Sequence, residues 1–587
     1  MTSPSESPTM ETRFGTIHFA DGDCRALLES EIDQLADPAA HGWEEIKRNS
    51  SRTVYRGRID GVDIYVKHFH QQSLGHRIAR RFCASDAKRE FLCALKLQEE
   101  KIPTAPPLAA SWGDSEWVAT RAVKNAIGAD EWHEQRMSDP QEAWRQVREM
   151  NCRIAGLIGR MHRAGIIHRD LHLGNILIGE RTGQCPELAL VDLHRVSMRR
   201  RPSRLARAKN LAHLFHDRLI HTTRSQRLRF LKHYLMASGA RGSLRGWALL
   251  CEEFGRQHRR NQFHQRDRRI VRKNRYFAPL GGRDGWRGHV ILASKRQPSW
   301  SGAARKEFRL ADWEDVLADP EKLFTGDDVE VVKDSASSLV VHRTLQVGPH
   351  TADVYIKRTR RKNIWKRLHD LFDRSRAVRA FILGHRLLTR QIATAVPLAA
   401  MEKRKGRALV DSFLITETVD GQDLEKFLAE NLADRPSGGN GQFDATQRRN
   451  LARKMLTRLG RLLRRLQDNR FSHRDLKASN LVVYWQPGQG DPELVLLDLD
   501  GLKHRPWRPE RKTYKSLMRL NVSLLKCPAI NRAGRMRMLK GYLRRPGDGR
   551  INVKPYWHHI HYWSEKKLNR QIASLRKKQK AARRPSR

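Results

Sequence analysis

The sequence predicts an α+β chain of two tandem domains, each with a small β-rich N-terminal lobe and a larger helical C-terminal lobe. Three observations carry this expectation. At 587 residues the chain exceeds the roughly 250–300 residues at which single hydrophobic cores stop growing. Residues 85–110, SDAKREFLCALKLQEEKIPTAPPLAA, align without a gap to residues 375–400, SRAVRAFILGHRLLTRQIATAVPLAA, at an offset of 290 with twelve of 26 positions identical. His-Arg-Asp-Leu occurs twice, and each time an asparagine lies five residues beyond the aspartate: Asp170 with Asn175, and Asp475 with Asn480. The period is far too long for a solenoid, so whole domains are duplicated.

Each copy reads alike from its N-terminal end. A β-rich start closes in an alternating strand, VDIYVKHF at 62–69 and ADVYIKRT at 352–359. An amphipathic helix through FLCALKLQ or FILGHRLL comes next, then a strand such as SFLITET at 412–418. The helical lobe holds IAGLIGRMHRAG or KMLTRLGRLLRRLQ directly before the repeated tetrapeptide. After it, LALVDLHRV and LVLLDLDGL read as aliphatic strands ending in an aspartate. The expected first domain is 1–300, with lobes at about 40–125 and 140–295. The expected second domain is 301–587, with lobes at about 325–420 and 445–565 and a basic tail. The join is placed in a polar stretch between about 295 and 326.

The motif carries the chemistry. In kinase-fold phosphotransferases the HRD aspartate accepts the proton of the attacking hydroxyl, and the asparagine holds magnesium on the nucleotide phosphates. The fold expectation sharpens to two tandem protein-kinase-like domains using ATP and Mg2+. Phosphoryl transfer is mostly positioning and charge neutralisation. It needs a lysine on the phosphates, a carboxylate to hold that lysine, a base and metal ligands. The first copy supplies Lys67, Glu90, Asp170 as base, and Asn175 and Asp192 as metal ligands. The second supplies Lys357, Asp475 as base, and Asn480 and Asp498 as metal ligands. The ungapped alignment sets Ala380 opposite Glu90, leaving Lys357 without a helix partner. The second half is then an active site with a loosely held lysine, or a nucleotide-binding or structural pseudokinase. No GxGxxG loop precedes either lysine; the hairpin turns carry Ser50, Ser51, Ser337 and Ser338. Their N–H groups and hydroxyls can donate to phosphate oxygens, or they are ordinary turn serines. His168 and His473 read as braces of the loop, and Arg169 and Arg474 as structural.

The segment after each metal aspartate bears on the acceptor. LHRVSMRRRPSRLARAKNLAHLF follows Asp192 with no Ala-Pro-Glu, and Arg508-Pro509-Glu510 comes too soon after Asp498. A peptide platform is disfavoured and a small or glycan hydroxyl acceptor favoured. A protein serine/threonine kinase and a non-catalytic scaffold stand as the rival readings.

Composition narrows the setting. Lys and Arg number 113 against 64 Asp and Glu, a net charge of +49 that attracts anions: nucleic acid, acidic lipid or phosphorylated glycan. Nucleic acid is the weaker reading, because no aromatic-basic stacking motif is evident. Seven cysteines without a CxxC spacing argue against a disulfide framework or zinc site and fit a reducing cytoplasm. The polar start lacks the apolar core of a signal peptide, and no run of about 20 apolar residues offers a membrane span. Any membrane contact is expected to be peripheral. The basic tail sets Leu568, Ile572 and Leu575 on one helical face, either lying on anionic lipid or solvated. His558, His559 and His561 lack acidic or cysteine partners at helical spacing and are not read as a metal site.

Taken together, SDAKREF with Glu90, PTAPP, MHRAGIIHRDLHLGNIL and VDLHR in the first copy, and SFLITETVDG, HRDLKASNL and LDLDG in the second, resemble the bacterial lipopolysaccharide kinases, the Kdo and core heptose kinases. The resemblance covers most of both halves. It implies ATP-dependent phosphorylation of a Kdo or heptose hydroxyl on an anionic glycolipid, the lipopolysaccharide inner core, at the cytoplasmic face of the inner membrane. The tandem arrangement and Ala380 depart from the family's usual single-domain pattern.

Overall fold

A computed structural model describes residues 7–582 apart from 50, 71–84, 113–114, 137–139, 180–185, 216–222, 282, 295–297, 361–372, 433–443, 486–491, 506–509, 526, 528–529 and 545–551. The chain divides into two compact units, Met1–Asn261 and Gln262–Arg587. Both follow the two-lobed order expected: a sheet with one helix against it, then a helical lobe.

The N-lobe sheet of the first unit is antiparallel and seven-stranded. Across it run Thr9–Thr12, Gly15–Phe19, Pro107–Ser111, Trp117–Arg121, Val62–Phe69, Arg52–Ile59 and Glu44–Arg48. The second unit repeats the same order with Phe277–Gly281, Trp286–Ile291, Pro397–Lys405, Ala408–Glu417, His350–Thr359, Ser338–Val347 and Glu330–Ser335. The first two strands of each sheet lie outside the lobes expected from sequence. The first lobe begins upstream of residue 40, and the second unit begins upstream of 301, taking in 277–291 that the sequence assigned to the first helical lobe. The reason is physical. Gly15–Phe19 pairs Ile17 with Ser111, and Trp286–Ile291 pairs Gly288 with Met401. Strand pairing over about a hundred residues leaves no local pattern to read, and FAPLG carries Gly and Pro that weaken a strand signal.

The helix over each sheet is set by its cap. Ser85 and Ser375, identical in the repeat, accept from the N–H of Lys88 and Val378 and start the helices Asp86–Glu99 and Arg376–Thr389. Ala87, Glu90, Phe91, Ala94 and Leu97 recur at three- and four-residue spacing and face inward. The second helix buries Ala377, Ala380, Phe381, Gly384 and Leu387 in the same way.

The helical lobes are built on Pro140–Arg163 and Ala445–Asp468, the latter opened by an Asp444–Gln447 capping box. Each lies against a partner, Arg224–Ser238 and Arg532–Leu543 respectively. Glycine sits at both crossings. A Cβ at Gly159 would collide with the Ala237 methyl, and one at Gly460 with the Met538 carbonyl, so the backbones approach too closely for any side chain. Replacing Gly460 by Val is expected to cost about 3 kcal/mol of second-unit stability, as overpacking of a tight crossing does. Denaturant unfolding of the full chain reads this as an earlier transition.

Candidate active sites

In the first unit Lys67 lies on Val62–Phe69, in register with Val54 and Val118 on the flanking strands. Strand alternation turns its side chain toward the buried face of Asp86–Glu99, where its Nζ lies 2.5 Å from Glu90 Oε1 and 3.5 Å from Asp192 Oδ1. The Glu90 side chain is 4% exposed and that of Lys67 14%. Burial by itself lowers the pKa of Lys67, but Glu90 and Asp192 more than offset this and hold it above the ordinary lysine value. Asp192 shows the converse: burial pushes it up, while His194, Lys67 and Arg52 hold it well below the usual carboxylate range. Arg52 donates to Asp192 Oδ2 at 2.7 Å, and His194 Nδ1 stands 3.1 Å from Asp192 Oδ1. Arg89 reaches across from the helix to donate to the His194 carbonyl at 3.2 Å. Asp192 has left-handed backbone, φ 68°, at the turn from Glu187–Leu190 into Leu193–Arg195. A non-glycine residue held there is strained, and its contacts maintain the conformation.

The catalytic loop is braced from within. The Asp170 N–H donates to His168 Nδ1 at 3.3 Å, which leaves Nε2 as the donor to the Val191 carbonyl at 3.3 Å. Asn175 Nδ2 donates to the Asp170 carbonyl at 2.9 Å, and the Val191 N–H donates to the Asn175 carbonyl at 3.1 Å, tying base loop to metal strand. A second line runs from Tyr234 through His162, 2.8 Å away, to Asn210 at 2.9 Å, whose amide donates to the His168 carbonyl. The Asp170 side chain is 47% exposed, with Arg195 Nη1 3.6 Å away.

The second unit repeats this skeleton. The Asp475 N–H donates to His473 Nδ1 at 3.2 Å, Asn480 Nδ2 to the Asp475 carbonyl at 2.8 Å, and the Leu497 N–H to the Asn480 carbonyl at 2.8 Å. Ser516 takes Asn210's part by donating to the His473 carbonyl at 2.8 Å. Asp498 is left-handed like Asp192, φ 48°. Lys477 Nζ lies 3.6 Å from Asp475 Oδ2. The expectation of a loosely held Lys357 is corrected here. Ala380 leaves it without a helix partner, yet its Nζ lies 2.8 Å from Asp498 Oδ1 and 2.7 Å from Asp500 Oδ2.

The turn serines are less engaged with either site. Ser50 lies outside the described residues. The Ser51 hydroxyl and N–H both donate to Asn49 Oδ1, and the Ser338 N–H donates to Ser335 Oγ, which is 3.3 Å from Ser337 Oγ. These bonds shape the hairpin turns. Arg52, His194, Arg195, Lys477 and Asp500 were not singled out from sequence. His194 and Asp500 had a signal, since both stand two residues after a metal aspartate.

The residues present fit magnesium and ATP. Magnesium takes hard oxygen ligands. The Asn175 amide is fixed through its nitrogen, leaving oxygen as its acceptor atom, and Asp192, next to the Val191 whose N–H donates to the Asn175 carbonyl, is held ionised. Glu90, Asp192 and His194 offer ligand atoms within 4.8 Å of one another, and Glu90 Oε2 is buried without a hydrogen-bond partner among the described residues. There Lys67 and Arg52 already balance the two carboxylates, so Asn175 and Asp192 are the residues that would hold a metal.

A two-lobed fold in which a strand lysine, a helix glutamate, a left-handed aspartate and an HRD loop converge defines a protein-kinase-like phosphotransferase. The chain belongs to the lipopolysaccharide kinase (Kdo/WaaP) family, whose model matches residues 41–234 and 336–542, one match within each unit. It is a kinase, an ATP-dependent phosphotransferase. It is 26% identical over 198 residues to the lipopolysaccharide core heptose(I) kinase WaaP of Pseudomonas aeruginosa, covering 31% of this chain and 73% of that one. Among solved structures, WaaP in complex with acyl carrier protein is similar at 21% identity and TM-score 0.33, covering 42% of this chain and 98% of the other. The Mycobacterium tuberculosis PknI kinase domain is similar at 17% identity and TM-score 0.24, covering 36% and 96%.

Two outcomes follow. Glu90→Gln leaves Lys67 short of a counter-charge and is expected to lower first-site turnover roughly 10²-fold, measured with Asp475→Ala in place. His162 is buried, which holds its pKa down at about 4 although Asn210 raises it. Its neutral form is therefore favoured by folding: stability is full above the unfolded value near 6.5 and is lost as pH falls from there toward 4. Denaturant unfolding is expected to show a loss of up to about 3 kcal/mol from this group over that range, absent in His162→Gln.

Proposed function

We propose that this chain transfers the γ-phosphoryl group of ATP, with magnesium, to a Kdo or heptose hydroxyl of the lipopolysaccharide inner core, and that the first unit carries the reaction. The observation that carries this is the largely buried Lys67–Glu90–Asp192 ion cluster, linked through Val191 and Asn175 to the loop of a half-exposed Asp170. Lys67 is held as a cation for the nucleotide phosphates. Asn175 and Asp192 would hold magnesium, which supplies charge neutralisation on those phosphates. Asp170 receives the proton of the acceptor hydroxyl, and the His168 and Asn175 bonds keep it aimed outward.

The acceptor side supports a glycan over a peptide. After Asp192 the chain forms the short turn Leu193–Arg195 and the strand Val196–Met198 before the helix Arg204–Phe215 begins, too short a segment for a peptide platform. Exposed Arg199, Arg200 and Arg201 lie on it and suit an anionic acceptor. No helix among the described residues is long and apolar enough to cross a membrane. A peripheral position on the cytoplasmic face agrees with the basic surface and with the terminal helix Lys554–Ala582.

The test is magnesium-dependent phosphorylation of purified lipopolysaccharide by wild type, Asp170→Ala and Asp475→Ala. Asp170→Ala is expected to lose about 10³-fold or more of the turnover. Unchanged turnover in that variant would remove the first unit from the reaction. Phosphorylation of peptides but not glycans would instead support the protein-kinase reading. Mass spectrometry of lipid-linked glycans from cells lacking the gene is expected to show the loss of one phosphate.

A further inference from the structure

The two units place the same number of carboxylates on the strand lysine but take them from different elements. In the first, the helix offers Glu90 and the position two after the metal aspartate is His194. In the second, the helix offers Ala380, 1% exposed in the core, and the position two after the metal aspartate is Asp500. Lys357 thus sits between Asp498 and Asp500 much as Lys67 sits between Asp192 and Glu90.

We propose that Asp500 is the positioning residue of the second site, replacing the missing helix glutamate, and that this site binds ATP. The proposal rests on ATP being the donor, as proposed above. An ammonium held by two carboxylates keeps its direction toward the nucleotide; with one removed, its remaining bond is to a residue needed for metal. Asn480 and Asp498 complete the set with their loop geometry intact. One consequence separates the units. In the first, the shorter of the lysine's two contacts, to Glu90, holds only while the helix Asp86–Glu99 lies against the sheet. In the second, lysine and counter-charge are joined through the metal loop, without the helix.

The experiment uses the full chain with the first site silenced by Lys67→Ala and Asp192→Asn, titrated with ATP by calorimetry with and without magnesium. One nucleotide site is expected to remain. Adding Asp500→Asn is expected to weaken it roughly tenfold or more, with and without the metal, while Asp500→Glu retains it. Lys357→Ala weakens it similarly, and the double substitution Lys357→Ala with Asp500→Asn costs no more than either alone, because the carboxylate acts through the lysine. Thermal unfolding of Asp500→Asn is expected to match the silenced parent. Absence of a remaining site, additive losses, or a loss seen only with magnesium present would overturn the proposal, the last by making Asp500 a metal ligand. Binding is read without any acceptor, so its failure leaves sugar phosphorylation by the first unit untouched, and a negative acceptor assay leaves Asp500's role untouched.

Discussion

An ammonium held between two carboxylates, largely buried in the first unit and partly exposed in the second, is the constraint on which each unit's site depends. Removing a lysine from water costs several kcal/mol unless its charge is met at hydrogen-bond distance. In the first unit meeting it requires the strand Val62–Phe69, the helix Asp86–Glu99 and the loop at Asp192 to arrive together. The Ser85 cap sets the helix register so that Glu90 faces the sheet. The left-handed Asp192 turns its carboxylate to the lysine and, through Val191, stays tied to the base loop. The same charge balance that permits burial keeps the lysine a cation, as the proposed role on the nucleotide phosphates requires.

Duplication has kept the skeleton and exchanged its fittings. The HRD histidine orients the base in both units through the same bond to the aspartate N–H. What holds that histidine's carbonyl differs, Asn210 in one and Ser516 in the other. The lysine's second carboxylate has likewise moved from helix to loop. Glu90 to Ala380 in isolation looks like the loss of a part. His194 to Asp500, two positions beyond the metal aspartate, restores the charge at the same ammonium. A hydrogen bond or ion pair needs only the right atom at the right point, and two elements bordering the same point can each provide it.

The outer parts of the sheets and the cations around Asp192 were hidden from sequence for a related reason. Ile17 with Ser111 and Gly288 with Met401 are pairings without local periodicity. Arg52 is one residue past the turn serine that drew notice, and only the hairpin's course over the site brings it to Asp192, 140 residues on. Ser51 gives its N–H and hydroxyl, and Ser338 its N–H, to the turns themselves.

By itself the sequence determined the duplication, the two-lobed class and the residues proposed to react. The HRD loop, the aspartate ending an aliphatic strand, and the alternating and helical periods are short-range patterns, imposed by local backbone geometry. Tertiary structure alone decided where the units divide, that Arg52 and His194 crowd Asp192, and that Lys357 is paired. Lys67 finds Glu90 23 residues away, while Lys357 finds its carboxylates 141 residues on and beyond. The strength of an ion pair depends on distance in space, which sequence separation does not measure.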